Sequence, residues 1–512
     1  MFFNGKVFTF DKGKKIARAV AVQDGSIAAI GDDNEIRRVT PRGVDKYDLG
    51  GRVVLPGFID CHTHFITMGV DSMEIDLSQT RSKEEALALM KSGSRNVSEG
   101  EWVIGVNWKE SGWTDGKFIT RADLDLCCPK HPAVAHRVCL HLSSVNSAAI
   151  SMLDMTPKTP DAEVGPSGQL TGILKEGAAS IVRSATAPSR EREVKGLALA
   201  TRKAHVLGVT SIHDNGEAHH FGIYRAAEVG RKLGVRVWFN TPSEQLRSRL
   251  DLSLPTGVGS EFLKIGGVKA FCDGALGART AALSEPFADD PGNKGVFVHR
   301  EGVLERIVHE ANEADIQLAI HAIGDRGIDA VIKSVASALE KHPRKEHRHR
   351  IEHLELPSNQ HLLRMHRLRM VASMQPNFIG EWGGTDGMYV ARLGKKRASR
   401  SNPLRDVLKS KVRLAFGSDC MPLSPLYGIH SAVNAPYPSQ RISIFEAVAA
   451  YTRDAAFASF EEHLKGTLSE GKLADFIVLS RNPFENTRNI SDNTVLKTII
   501  GGNVVFERSE SK

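Results

Sequence analysis

Eight short β-like runs recur along the middle of the chain, each separated from the next by a stretch with room for a helix: Val54 to Asp60, Val209 to His213, Val235 to Asn240, Leu263 to Phe271, Gln317 to His321, Arg350 to His353, Met370 to Gln375 and Val412 to Ser418. Such alternation demands a parallel sheet, because parallel neighbours are joined by crossovers long enough to hold a helix. One crossover is explicit: after Asp325-Arg326-Gly327, the residues Ile328, Val331, Ile332, Val335 and Leu339 share one face at a 3.6-residue period. Eight units of this kind predict an α/β fold, a (β/α)8 TIM-like barrel.

The rhythm breaks once. Residues 65 to 208 are far too long for a loop between strands, so a subdomain inserted at about 70–205 is predicted after barrel strand 1. Leaving from a strand's C-terminal end, it is placed to overhang the barrel mouth, and it contains Trp108, Trp113, Arg121, Arg137 and His141. The two tryptophans are candidates to line a pocket beneath it.

Both ends of the chain are β-rich. Lys6 to Phe10, Ala19 to Val22 and Ser26 to Ile30 read as strands, the last two turning at Asp24-Gly25; Phe476 to Leu479, Val495 to Ile500 and Asn503 to Phe506 form a second set with a turn at Gly501-Gly502. Neither set can bury a core alone, so residues 1–53 and 466–512 are expected to build one small β-sandwich domain beside a barrel spanning 54–465.

Composition excludes several classes. With 512 residues, 41% hydrophobic and 25% charged, the chain is globular. Its six cysteines lack C-x-x-C spacing and no secretion-type leader opens it, which argues against a zinc finger or disulfide framework and for a cytoplasmic location. No apolar run approaches the roughly 18 to 20 residues of a membrane span. The net charge is +7, but the basic residues are dispersed apart from clusters at 343–350 and 395–400, so no nucleic-acid partner is expected. A small-molecule substrate is the expected partner, and a homo-oligomer is compatible with the sequence.

Metal-capable residues stand where the strands end. His62 and His64 lie two apart and can face one way from strand 1; Lys269, His321, His353 and Asp419 close strands 4, 5, 6 and 8. Active sites of such barrels gather at these C-terminal ends. Plainer readings exist: hydrogen-bonded core histidines, or Asp419 as a helix cap. Glu352 and Cys61, adjacent to candidate ligands, are expected to face the opposite side of their strands and to be structural.

The segments Pro56-Gly57-Phe58-Ile59-Asp60-Cys61-His62-Thr63-His64, Gly208-Val209-Thr210-Ser211-Ile212-His213-Asp214, Val268-Lys269-Ala270-Phe271-Cys272-Asp273-Gly274, His321-Ala322-Ile323-Gly324-Asp325-Arg326, Arg350-Ile351-Glu352-His353, Phe416-Gly417-Ser418-Asp419 and Gly471-Lys472-Leu473-Ala474-Asp475-Phe476 follow one another in the order of a known family. The chain resembles the amidohydrolase superfamily, and within it the metal-dependent branch related to N-substituted formamide deformylase. The resemblance implies that His62, His64 and Asp419 bind one divalent metal, usually zinc, and that His321 and His353 bind a second. It implies that Lys269 is N6-carboxylated and bridges the two ions; the alternatives are one ion with Lys269 unmodified, or the nearby Cys272 as a ligand. Asp419 would be the proton-transferring residue, with His213 and Arg279 as candidates to orient substrate or stabilise an oxyanion.

The implied activity is hydrolysis of a non-peptide C–N bond in an amide, formamide or cyclic amide. Deamination or lactone or ester hydrolysis on the same site is the near alternative, and a non-catalytic binding or regulatory protein the distant one. One departure stands out: many relatives carry a histidine in Gln-Pro-x-His after strand 7, where this chain has Phe378. The following segment, Gly380 to Arg400, holds Trp382 and the second basic cluster and reads as a mobile lid with a preference for anionic groups.

Overall fold

At Gly57 an unbroken apolar run changes partners. The N–H of Gly57 donates to the carbonyl of Asp475 at 3.0 Å, and the N–H of Phe58 donates to the carbonyl of Gly208 at 3.0 Å. The run 54–60, expected to be one barrel strand, is therefore two. Val53–Pro56 pairs with Lys6–Phe8 and Phe476–Leu479 in the terminal domain, and only Phe58–Thr63 enters the barrel. The computed structural model behind this description covers residues 1–509 other than Lys14, Asp115 and Leu140.

The barrel strands are β1 (Phe58–Thr63), β2 (Val209–Asp214), β3 (Arg236–Pro242), β4 (Leu263–Phe271), β5 (Leu318–Ala322), β6 (Arg350–His353), β7 (Val371–Met374) and β8 (Arg413–Phe416). They form one eight-stranded parallel sheet in chain order, a TIM barrel. Its seam between β8 and β1 is drawn together at the mouth: Asp60 Oδ1 accepts the N–H of Ser418 at 2.8 Å, and the N–H of Asp419 donates to the carbonyl of His62 at 2.8 Å. Outside the strands, the helix Asp325–Lys341 buries Ile328, Val331, Ile332 and Val335 against the sheet, the face its periodicity predicts.

The insertion builds a six-stranded mixed sheet running from Ile75–Asp76 to Leu170–Lys175, with a core of its own. Trp108 and Trp113 stack inside that core, 5.6 Å between ring centroids. Their indole N–H groups donate to the carbonyls of Ala135 and Thr80 at 3.0 and 3.1 Å, so they hold the insertion together rather than line a pocket. The helix Arg190–Val206, expected within the insertion, instead belongs to the barrel layer and packs on the helix Phe65–Asp71. Contact there is backbone to backbone: a Cβ at Gly69 would lie 1.9 Å from the carbonyl oxygen of Gly196. Gly69→Ala should therefore lower stability by about 1 to 3 kcal/mol, read from the urea midpoint, because the two helices must separate to admit a methyl group.

The two chain ends form a four-stranded and a six-stranded sheet that share a core including Phe2, Val20, Ile27, Val54, Phe476 and Ile499. This domain is tied to the barrel by a buried ion pair, Arg236 on β3 donating to Asp475 at 2.6 and 2.9 Å. No helix among the described residues is long and apolar enough to cross a membrane.

Candidate metal centre

His62 ends β1 pointing into the barrel, and the chain leaves the strand at His64, which caps the next helix. Across the seam, Asp419 adopts φ 54, a left-handed conformation that turns its carboxylate toward both imidazoles. Asp419 Oδ1 lies 3.6 Å from His62 Nε2 and 3.3 Å from His64 Nε2. The three ligand atoms fall within 4.8 Å of one another. Among the described residues, His62 Nε2 and Asp419 Oδ1 are buried without a hydrogen-bond partner, a costly state for polar atoms in a protein interior. Two imidazole nitrogens and a carboxylate are a donor set that zinc accepts, so the orphaned atoms fit a divalent metal.

Electrostatics favour the ligating forms of His62 and Asp419, whereas at His64 burial is outweighed by the Asp419 carboxylate, which raises the pKa. Burial, reinforced by Lys269, holds the pKa of His62 well below the usual histidine range, which keeps its lone pair free. Burial works against ionisation of Asp419, but His62 and His64 more than offset it, and the carboxyl sits below its ordinary range. His62 Nδ1 is 2.5 Å from Glu352 Oε2, Glu352 Oε1 pairs with Arg350 Nε at 2.6 Å, and Arg350 Nη1 lies 2.8 Å from His213 Nδ1. Such an outer layer fixes a ligand's tautomer and ring angle. Glu352→Gln should weaken metal binding by about 10- to 100-fold in a competition titration, since the charge that supports His62 is lost while the shape is kept.

Glu352 corrects the expectation that it would face away from the site. The alternation of strand side chains ends at His353, whose φ of 72 takes the backbone out of the extended region. Glu352 and His353 therefore both reach the barrel interior. Cys61 does face outward, into a cluster with Ile59, Ala415 and Ala455.

His353 and His321 continue the row of imidazoles. Ring centroids are 4.8 Å apart for His62 and His353 and 4.5 Å for His321 and His353. His353 Nδ1 meets Gln375 Oε1 at 2.8 Å and His321 Nε2 meets the carbonyl of Gly274 at 3.1 Å, leaving one nitrogen of each ring for a ligand. Lys269 is buried beside them with no hydrogen-bond partner among the described residues, its Nζ 4.6 Å from the ring centre of Phe271. Burial lowers its pKa to about 8 despite the nearby Glu352 and Asp419 charges.

The two predicted orienting residues are placed differently. His213 is fully buried and reaches the site only through Arg350 and Glu352. Arg279, on the loop after β4, forms a two-pronged pair with Asp289 at 3.2 and 2.9 Å. The segment 380–400 is not an open loop: Asn377–Trp382 and Met388–Ala398 are helical, and Phe378, Trp382, Met388 and Tyr389 pack with Leu276 and Leu283 in one apolar cluster above the barrel. Phe378 stacks on His353, 6.0 Å between centroids and 9° between planes. Two arginines of this segment are committed within the protein: Arg392 pairs with Glu110 and Asp289, and Arg397 donates to the carbonyls of Glu285 and Pro286.

A fifth imidazole comes from the insertion, where the sequence marked His141 but gave it no place beside the metal-capable residues. His141, at the edge of the inserted sheet, has its ring centroid 5.4 Å from that of His321 and its Nδ1 2.9 Å from Glu176 Oε2. Nothing in local spacing marks this pair. A second cluster, Glu193, His219 and His220, also gathers within 4.8 Å, but its groups satisfy one another. Glu193 Oε1 takes both Nε2 atoms at 2.6 and 3.2 Å, and His220 Nδ1 accepts the N–H of Glu217 at 3.2 Å.

Comparison with known proteins agrees with this geometry. A model described as "Amidohydrolase family" matches residues 45–506. The chain is 31% identical over 537 residues to the putative amidohydrolase YtcJ of Bacillus subtilis (strain 168), covering 99% of each. It is 27% identical over 540 residues to the N-substituted formamide deformylase of Arthrobacter pascens, covering 100% of this chain and 99% of that one. Among solved structures, an uncharacterized metal-dependent hydrolase from Pyrococcus furiosus superposes with a TM-score of 0.74 at 29% identity, covering 94% of this chain and 99% of the other.

Proposed function

The chain belongs to the amidohydrolase family, and from that premise we propose that it is a metal-dependent hydrolase of a non-peptide C–N bond, in a small amide, formamide or cyclic amide. The observation that carries this reading is the convergence of His62, His64 and Asp419, with the buried His62 Nε2 lacking a hydrogen-bond partner among the described residues. A full-length relative named as a formamide deformylase supports the choice of bond. A divalent ion held there, zinc by the donor set, supplies Lewis acidity to the carbonyl and to a water.

The chain's own residues do the rest. Asp419, ionised in its site, accepts the proton of the attacking water at a carboxylate oxygen and returns it to the leaving nitrogen. His62 is held in register by Glu352, and Glu352 in turn by Arg350, which His213 steadies from below as a positioning residue. Arg279 acts at one remove, fixing the loop after β4 through Asp289. The apolar cluster over the mouth, with Phe378 stacked on His353, limits the water that reaches the reacting group.

His321, His353 and Lys269 fit a second ion beside the first, with Lys269 carboxylated. A buried amine whose pKa falls to about 8 exposes the neutral form that adds carbon dioxide. Labelled bicarbonate should then give a carbamate ¹³C resonance that is absent in Lys269→Ala. The tight three-residue group alone favours a one-ion reading, which elemental analysis near one ion per chain would select.

Zinc-loaded protein screened against formamides, cyclic amides, lactones, esters and aminated heterocycles tests the function. Amine release from the formamides or ring opening of the cyclic amides is expected. Turnover confined to lactones, esters or heterocycles would replace this reading, and inactivity across the panel with metal bound would end it.

A further inference from the structure

The end of the barrel away from the metal centre carries positive charge that the hydrolase reading leaves unused. There β6, β7 and β8 start in one row, Arg350 paired with Val371 and Val371 with Arg413. Two residues before each member of that row stands a cation: Arg348, Arg369 and Lys411. All three have left-handed backbones, φ 45, 57 and 59. Glycine is the residue this conformation favours, so the turns themselves do not call for long cationic side chains.

One repeated geometry thus delivers three cations, and with Lys345 and Arg413 they line a single cleft of about 220 Å³. Among the described residues, Glu346 is the one carboxylate in that lining. Arg348 and Arg413 are fixed in place. Both guanidinium groups lie over the Phe457 ring, 3.7 and 4.4 Å from its centre, and each pairs with a carboxylate at 2.7 Å, Glu462 and Asp454 respectively. Lys345, Arg369 and Lys411 are exposed and form no ion pair among the described residues. A helix dipole accounts for a cation after the helices Asn359–Arg367 and Leu404–Lys409, but no helix runs into Arg348.

We propose that this cleft is an anion site for a short oligophosphate chain, either free or carried by a nucleotide. Three uncommitted cations match a ligand with several negative charges, and lysine and arginine are the side chains that pair with phosphate oxygens. A cleft of this volume holds a short chain of phosphates. The site stands apart from the hydrolase reading: Arg413 opens β8, whereas Asp419 lies beyond the other end of that strand.

The test is calorimetric titration of the zinc-loaded full chain with tripolyphosphate, and in parallel with ATP, sulfate and a single-stranded RNA. Saturable tripolyphosphate binding that weakens as salt rises is expected. It should fall at least about 10-fold in the double variant Arg369→Gly, Lys411→Gly, with zinc content unchanged. Glycine accepts both left-handed turns, so that variant should stay folded. His62→Ala, impaired at the metal centre, should keep the wild-type affinity for tripolyphosphate, which separates this cleft from chelation of zinc. ATP binding no tighter than tripolyphosphate assigns the free chain and tighter ATP binding a nucleotide, and both support the site. No saturable binding by the wild type, sulfate bound as tightly as tripolyphosphate, an undiminished affinity in the glycine variant, a loss in His62→Ala, or RNA bound more tightly than either phosphate probe would each overturn it.

Discussion

Asp419→Asn should lower kcat/KM for amide cleavage by about 10²- to 10⁴-fold, the range that a positioned proton-transfer group contributes. Asparagine isolates the chemistry from the fold. Asp419 sits at φ 54, where asparagine is as comfortable as aspartate and alanine is not. Its N–H bond to the carbonyl of His62 is a backbone contact that the substitution leaves in place. Rates measured at saturating zinc separate a lost ligand from a lost proton carrier: weaker metal binding is overcome by excess zinc, whereas the missing base is not. A variant restored to near wild-type turnover by zinc alone would remove Asp419 from proton transfer.

Stripping the metal with a chelator should abolish turnover, lower the melting temperature, and restore both when zinc returns. Binding to the folded state alone adds about 2.7 kcal/mol of stability at free metal 100 times Kd. Here the orphaned His62 Nε2 and Asp419 Oδ1 gain partners at the same moment. His62→Ala supplies the control. It deletes the ligand and leaves Glu352 paired with Arg350, so the variant should fold yet no longer gain stability from zinc. Turnover that survives exhaustive chelation would refute the metal mechanism.

The barrel was legible because each strand and helix carries its own period, as in the face made by Ile328, Val331, Ile332 and Val335. The metal-capable residues were legible because strand ends are recognisable in the sequence. What escaped depends on backbone events that no pattern marks. The turn at His353 brings Glu352 to face His62, against strict alternation. The change of partners at Gly57 splits a run of uniform hydrophobicity. His141 and Glu176 stand 35 residues apart, and only the register of the inserted sheet makes them neighbours. Arg279 shows the converse: a guanidinium near a strand end invites a substrate role until Asp289 is found beside it.

The splice at Gly57 has a consequence for how the protein is made. Val53–Pro56, one residue upstream of the strand that carries His62, takes its antiparallel partner from Phe476–Leu479. The ribosome delivers that partner only after all eight barrel strands have emerged. A nascent chain can therefore close its insertion early, but the segment leading into β1, paired on one side with Lys6–Phe8, stays without its antiparallel neighbour until synthesis has passed residue 479. Slow translation or release of a shortened chain would thus expose the unpaired Val53–Pro56 edge first, making it the segment on which chaperones and proteases would act.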